Sequence, residues 1–509
     1  MWGSLLEAFS VIFSFYGFFL MVFGVAGGIT IGAMPGLSAT MGVALLIPIT
    51  FAMEPSYGLI LLGSIYIGAI YGGSISAILI RVPGTPASVA TTLDGYPMTI
   101  NGEADKALKI SITSSVTGGV ISALALLFIS PPLAKIALKF GPSEYFWVAL
   151  FGLSIIVTLS ADNPIKGFIS AGIGLFVGTV GMDPLVGTAR FTFGNMNLLS
   201  GVQVIILLIG LYSIPQVLET LESGNLNKGL SIMKRDKIIS PKEIFTEIKS
   251  IWPTYIRSGI LGTLIGIIPG AGANIASYVG YNEGKRWSKH SEKYGTGFSE
   301  GIAASEAANN GVTGGSLIPL LTLGVPGNGV TAVLIGGLLI QGLNPGPRLF
   351  AQNANIVYAF MGAILVGNFI MLFLGYYGAD LFVNAVKIPT SILGPIIIVL
   401  SIVGSYAIQN SLFDVGLMLS FGLLGYLMRK LNIDSAPAVL ALILGPMAES
   451  NVRRALLMGG GNPMVLFKGF INWVLIVMIA VSFFFAFYTF IRERKNIGEE
   501  DLDDLKEAN

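Results

Sequence analysis

Ile265-Gly266-Ile267-Ile268-Pro269-Gly270-Ala271-Gly272-Ala273 lies in the middle of an apolar stretch, and Ile31-Gly32-Ala33-Met34-Pro35-Gly36-Leu37-Ser38-Ala39 repeats its pattern 234 residues earlier. A second pair has the same relationship. Gly72-Gly73-Ser74 followed by Val82-Pro83-Gly84 resembles Gly314-Gly315-Ser316 followed by Val325-Pro326-Gly327, at offsets of 242 and 243. Proline has no amide to give a helix, and glycine accepts backbone angles that other residues avoid, so each Pro-Gly predicts an interrupted helix. A single Pro-Gly reads as a kink. Four in paired register predict an internal duplication.

The charges around the third block decide how the chain runs there. Lys228, Lys234, Arg235, Lys237, Lys242, Lys249 and Arg257 precede it, and Lys285, Arg286, Lys289 and Lys293 follow it. Arg492, Arg494 and Lys495 form a further cluster near the end. Basic loops face the cytoplasm. The apolar stretch between the first two clusters must therefore enter the membrane and return, as a re-entrant hairpin with its tip at Pro269–Asn274. Irregular backbone at that depth is tolerated where protein or a wet cavity surrounds it. An odd number of crossings between the hairpins, five by this count, inverts one half relative to the other.

Composition sets the surroundings. The 509 residues are 53% hydrophobic and 11% charged, with a mean hydropathy of +0.78, against about 25% charged in ordinary soluble domains. This predicts an all-α polytopic membrane protein with about 12 transmembrane segments, re-entrant hairpins and broken helices. Candidate spans run from 8–33 and 57–82 through to 467–491; a crossing needs roughly 20 residues, and several of these segments are too short or too interrupted to cross cleanly. The expected organisation is a first repeat at 1–217, a cytoplasmic linker at 218–256, a second repeat at 257–491 and a cytoplasmic tail at 492–509. An interfacial amphipathic helix fits within 218–257. No basic stretch of a cleavable signal is evident, the first Lys or Arg being Arg81. A net charge of +1 offers no basic surface for nucleic acid. Zero cysteines exclude disulfides, thiolate metal sites and cysteine nucleophiles, and one histidine, His290, excludes a histidine-built centre. No cofactor is expected.

Broken helices from two halves that meet near the membrane midplane present free amides and positive dipole ends to an anion. The candidate substrate-binding residues are those at the breaks. They are Pro35, Gly36 and Ser38 with Thr40; Pro83, Gly84, Thr85 and Ser88; Pro269, Gly270 and Asn274; and Pro326, Gly327 and Asn328 with Thr331. Upstream of the fourth break lies Ser305-Glu306-Ala307-Ala308-Asn309-Asn310. This patch is either a helix cap at the membrane surface or a cation-binding site formed by Ser305, Glu306, Asn309 and Asn310, since an ionisable residue inside a membrane protein is a functional candidate. Arg81 precedes Val82-Pro83-Gly84. It is a possible anion partner through its bidentate fork, and equally a partner for an acidic side chain or a residue that snorkels to the interface.

These blocks resemble the large membrane subunit of the tripartite tricarboxylate transporter family (TctA type). The resemblance runs over roughly residues 10–460. It includes Gly32–Ala39, Tyr66–Ala69, Tyr71–Thr85, Leu93-Asp94-Gly95-Tyr96-Pro97, Ala137–Tyr145 and Arg190-Phe191-Thr192-Phe193-Gly194. It continues in Ile267–Ser277, Gly301–Asn310, Ile318–Asn328, Gly342–Phe350, Asn410–Asp414 and Leu444–Leu457. It implies a permease of the bacterial or archaeal cytoplasmic (inner) membrane that imports carboxylates. The implied partners are a small integral membrane subunit and an extracytoplasmic solute-binding protein, and the implied coupling ion is sodium or a proton. The sequence agrees in lacking a Gly-x-x-x-x-Gly-Lys-Ser/Thr nucleotide loop. It departs from the family pattern at Arg81, where an uncharged residue such as Asn is usual, which leaves the choice of acid open. The expected mechanism is symport by alternating access, with one mobile unit moving elevator-fashion against a scaffold. An anion-conducting channel and a structural membrane scaffold are the rival readings. A channel calls for rings of one charge sign that are not seen, and a scaffold does not explain duplicated breaks. An enzyme finds no catalytic constellation, and Gly270-x-Gly272 lacks the third glycine and the preceding strand of a dinucleotide site.

Overall fold

A computed structural model describes residues 2–34, 37–159, 163–183, 185–222, 239–270, 272–379, 381–382, 390–481 and 483–484. Pro35 and Gly36, most of the first basic cluster (Lys228–Lys237) and the 492–509 tail lie outside the described residues.

The described chain is helical, as the composition predicts. In the first half come α1 (Trp2–Ile12), α2 (Phe15–Ala33), α3 (Ala39–Thr50), α4 (Pro55–Ile80), α5 (Thr92–Ile100) and α6 (Ala104–Ala137). They are followed by α7 (Pro142–Leu159), α8 (Pro164–Gly178) and α9 (Val204–Glu222). The second half holds α10 (Pro241–Ile267), α11 (Gly272–Trp287), α12 (Ser299–Leu323), α13 (Gly329–Ile340), α14 (Pro347–Gln352) and α15 (Ala354–Tyr377). It continues with α16 (Thr390–Gln409), α17 (Leu412–Lys430), α18 (Ala436–Met458) and α19 (Phe470–Val481). A two-residue hairpin pairs β1 (Gly181–Met182) with β2 (Ala189–Arg190).

Local chemistry explains where these helices start. Ser14 accepts from the amide of Gly17 at the head of α2, and Ser38 accepts from Met41 at the head of α3. Ser240 and Glu243 form a reciprocal capping box on α10, and Asn328 and Thr331 form another on α13. Each supplies an acceptor that a first helical turn lacks, typically worth about 1 kcal/mol. Helix α10 already starts at Pro241, within the stretch expected as a linker, and runs on without interruption into the apolar segment.

Five described helices are long and apolar enough to cross a membrane: α2, α4, α6, α15 and α17. The apolar helices α3 and α13 have only 12 residues each, or about 18 Å of rise. Each falls short of the roughly 30 Å hydrocarbon core, because a break has cut the apolar run.

The chain separates into two compact units. Unit 1 comprises Met1–Leu138 and Ile205–Tyr426, and unit 2 comprises Lys139–Val204 and Leu427–Asn509. Each half of the sequence contributes to both units. Within unit 1, α4 and α12 are the central rods. Nearly every residue of Ser56–Leu79 and every residue of Ser299–Thr322 is buried. A helix enclosed by other helices can carry serines, asparagines and a glutamate that lipid would not tolerate. In unit 2 the β-hairpin is tied to α18. Arg190 donates to Glu449 at 2.7 Å, and Arg453 donates to Asp183 at 2.7 Å. Asp183 also accepts the amides of Leu185 and Val186. Those bonds, led by the one from Arg453, hold its carboxyl below the usual carboxylate range.

Candidate functional site

The four interruptions fall where the Pro-Gly pattern places them. Helix α2 gives way to α3 across residues 34–38, and α10 to α11 across 268–271. Helix α4 ends at Ile80, with a single 3-10 turn at Pro86–Ser88 before α5, and α12 gives way to α13 across 324–328.

The interruptions meet one another. The amide of Gly270 donates to the carbonyl of Gly327 at 2.9 Å, joining the third break to the fourth. Gly84 donates to the carbonyl of Gly73 at 3.2 Å, and a Cβ on Gly84 would stand 1.9 Å from the carbonyl oxygen of Gly32, in the last turn of α2. The second break is thereby pressed onto the first. Ala87 packs in one apolar cluster with Ala273 and Ala276, which brings the second break to the head of α11. A Cβ on Gly329 would lie 3.5 Å from Oγ1 of Thr40, so the heads of α13 and α3 are neighbours.

These contacts come in matched sets. A Cβ on Gly28 would lie 2.4 Å from the carbonyl of Ile65, and one on Gly262 would lie 2.0 Å from that of Ala308. Gly72 stands in the same relation to Ile29 as Gly315 to Thr263, and Gly84 to Gly32 as Gly327 to Gly266. In these three pairs the α2 and α10 residues differ by 234, and the residues of α4 and its following break differ from those of α12 and its following break by 243, one more than the 242 at which the Gly-Gly-Ser motifs align. In both places the absent side chain lets two backbones touch, which gives α4 and α12 their tight enclosure.

Of the candidate residues, all but Pro35 and Gly36 fall among the described residues. Ser38 caps α3. Thr85 and Ser88 are buried, their hydroxyls 3.2 Å apart, over the bare face of Gly73. Asn328 caps α13 through Oδ1, and its Nδ2 donates to the hydroxyl of Tyr66 at 2.9 Å. That hydroxyl also lies 3.1 Å from Oγ of Ser316. Pro83 and Pro269 are half-buried and Pro326 is buried. Asn274 is the exception. Its side chain is exposed, on the first turn of α11, and it contributes its carbonyl to Ser277. The caps occupy one amide each. The other first-turn amides of α3 and α13 have no acceptor within their own helices, and the N-terminal dipole ends favour negative charge.

The Ser305–Asn310 patch is not a surface cap. Helix α12 starts at Ser299, so the patch sits in its second to fourth turns, and Glu306 is 0% exposed. Oε1 of Glu306 accepts the hydroxyl of Thr91, and Oε2 accepts Ser115 at 3.1 Å and the amide of Asn310 at 3.4 Å. Ser305 lies 3.2 Å from the same Thr91 hydroxyl. Among the described residues nothing donates a hydrogen bond to the buried Oδ1 atoms of Asn309 and Asn310. Among the described residues no Lys or Arg is within ion-pairing distance of Glu306. A buried carboxylate without a counter-charge is costly, and a bound proton or cation removes that cost. The unused amide oxygens beside it are the hard ligands that an alkali cation takes.

Thr91, Ser115 and Tyr66 are missing from the sequence-based set. Hydroxyl side chains in apolar segments carry no signal of their own until a long-range partner is known. Asp94 is missing too. It is fully buried on α5, with Oδ1 accepting the amides of Gly295, Gly297 and Phe298 at 2.8–2.9 Å and Oδ2 accepting the hydroxyl of Tyr281 at 2.8 Å. Asp94 thus clamps the loop that leads into α12. Arg81 makes no ion pair among the described residues, and its guanidinium lies 5.8 Å from the ring centre of Tyr96.

The family model described as the tripartite tricarboxylate transporter TctA family matches residues 18–440. An uncharacterized 52.8 kDa protein in the TAR-I ttuC' 3' region of Agrobacterium vitis is 36% identical over 442 residues, covering 87% of each chain. A protein in the TAR-II ttuC' 3' region of the same organism is 33% identical over 235 residues, 46% of this chain and 97% of that one. No solved structure matches. With a match of this extent, the chain belongs to the tripartite tricarboxylate transporter TctA family, and so is a multi-pass membrane subunit of a transport system that includes partner subunits.

Proposed function

We propose that this chain is the permease of a binding-protein-dependent system for the cation-coupled uptake of small carboxylates, tricarboxylates or related organic acids, across a bacterial or archaeal inner membrane. The observation that carries the proposal is the meeting of four helix breaks, whose helix heads favour an anion, in the same compact unit as the unpaired Glu306. Thr91 follows the second break directly and donates to Glu306, so the anion cradle and the cation site share a segment.

The chemistry is that of charge pairing. A carboxylate at the heads of α3, α11 and α13 is held by backbone amides and dipole ends. Sodium or a proton at Glu306 cancels negative charge in a low-dielectric interior, which lowers the cost of moving the anion. The matched glycine contacts support an internal duplication, and the basic residues at both ends of the α10–α11 pair support a re-entrant hairpin with its ends in the cytoplasm. Alternating access then moves the unit that holds the cradle, elevator-fashion. The C-terminus is cytoplasmic in this arrangement. A small integral membrane subunit and an extracytoplasmic solute-binding protein complete the system, and the chain itself makes and breaks no covalent bonds.

The deciding experiment is uptake of labelled di- and tricarboxylates into proteoliposomes that contain the complete system. Wild type should concentrate its substrate under an inward sodium or proton gradient. A Pro269→Ala/Gly270→Ala variant should insert normally and fail to do so. Normal uptake by that variant, or conductance without accumulation in wild type, would overturn the proposal.

A further inference from the structure

Arg81 ends α4 in the left-handed conformation, at φ 58° and ψ 18°. Its counterpart at the offset of 243 is Gly324, which ends α12 in the same conformation, at φ 75° and ψ 15°. A helix that stops this way ordinarily carries glycine there, because a Cβ is disfavoured at positive φ. One half of the molecule has the ordinary residue. The other has an arginine, one of five non-glycine residues at positive φ among the described residues, and it bears a steric cost that glycine would not.

The arginine has no carboxylate partner among the described residues. Its guanidinium lines a cavity of about 400 Å³ together with Thr92, Tyr96, Asn101, Gly295 and Thr296. None of the break residues that form the cradle lines it. The cavity wall at Gly295 and Thr296 is fixed in place, since the amides of Gly295 and Gly297 are bound by the buried Asp94. The 5.8 Å approach to the Tyr96 ring holds the guanidinium from one side and leaves its donor edge available. The run Lys285–Lys293, with four basic residues against Glu292, leads directly into this wall.

We propose that this cavity is a second anion site, distinct from the cradle, in which Arg81 holds a carboxylate or phosphate oxyanion through its bidentate fork. The chemistry is common to a small soluble oxyanion and a lipid headgroup. Thr92, Asn101 and Thr296 supply polar groups around the ion, and the planar fork selects paired oxygens over a spherical halide. The site stands or falls separately from the cradle, because it shares no residue with it.

The chain has no cysteine, so one introduced thiol is a unique reporter. Ile100 lines the same cavity, is 50% exposed and carries no polar group. The test uses the full-length Ile100→Cys chain in phosphatidylcholine nanodiscs, with a water-soluble maleimide and titrations of citrate, inorganic phosphate and chloride. The expected result is that citrate or phosphate slows labelling several-fold with saturation, whereas chloride at equal ionic strength does not. Slowing that appears only when phosphatidylglycerol replaces phosphatidylcholine, and depends on Arg81, assigns the ion to a headgroup and supports the same site. Adding Arg81→Gly should abolish either effect. That variant restores the residue found at position 324, so the backbone accepts it and thermal unfolding should not fall. Equal labelling rates in every anion and lipid, or protection that survives Arg81→Gly, would overturn the site. Normal uptake by the Pro269→Ala/Gly270→Ala variant would leave it untouched.

Discussion

Gly327 stands to Gly266 as Gly84 stands to Gly32: in each pair a glycine within a helix break rests on the carbonyl oxygen of a glycine in the last turn of another helix. A Cβ added at Gly84 would meet that oxygen at 1.9 Å, and one at Gly327 would meet it at 3.0 Å and the Cβ of Ser316 at 2.6 Å. The breaks are held by backbone pressed against backbone, which leaves no flexible atom to yield.

Alanine at either glycine should therefore separate the breaks. Overpacking of this kind typically costs about 1–3 kcal/mol. Gly84→Ala should be the more severe and should abolish uptake, while Gly327→Ala should reduce it strongly. Gly27 is the control, since a Cβ there meets nothing within 4 Å, and Gly27→Ala should be neutral or slightly stabilising. Thermal unfolding in detergent together with proteoliposome uptake checks the ordering. Equal effects at all three positions would refute it.

Glu306→Gln keeps the shape of the buried side chain and removes its charge. If Glu306 is where the driving cation binds, this variant should keep substrate exchange but lose acceleration by a sodium or proton gradient. Thr91→Val should act in the same direction more weakly, leaving the carboxylate one donor short at a cost of about 1–3 kcal/mol. Gradient-driven uptake and counterflow, measured on the same vesicles, separate the two. A Glu306→Gln variant that still responds fully to the gradient would remove this residue from coupling.

Asp94 binds three backbone amides and one tyrosine hydroxyl. Asp94→Asn retains Oδ1 as an acceptor, and the new amide can face Tyr281, whose oxygen can accept. Asp94→Ala strands four donors. The alanine variant should unfold at clearly lower temperature and expose the 288–298 segment to protease, with the asparagine variant between it and wild type. Indistinguishable asparagine and alanine variants would mean that the clamp is not what orders this loop.

The carboxyl of Asp183 in unit 2 is held below its ordinary range, first by the hydrogen bond from Arg453 and then by the amides of Val186 and Leu185. A carboxylate whose folded value is depressed stabilises fully above its unfolded value, near 3.9, and loses that contribution as pH falls through the folded value. Amide exchange across residues 181–190 should therefore be slower in wild type than in Asp183→Asn at pH 7, and the gap should close in strong acid. A gap that is the same at pH 7 and pH 2 would contradict the ion-paired arrangement.

The sequence by itself determined the membrane class and the positions of the four helix breaks, because both depend on local chemistry. An apolar run needs no partner to be read, and a proline lacks its amide wherever it stands. The capping residues Ser38 and Asn328 were legible for the same reason, since a cap acts within three residues of itself. Tertiary structure alone decided which breaks touch, that Glu306 is buried with no counter-charge among the described residues, and that Thr91, Ser115, Tyr66 and Asp94 matter. Thr91 is 215 positions from Glu306, and Tyr66 is 262 from Asn328. A hydroxyl in an apolar helix looks the same in sequence whether it bonds to its own helix or reaches across to a carboxylate, and only the packing of helices through glycines selects between the two.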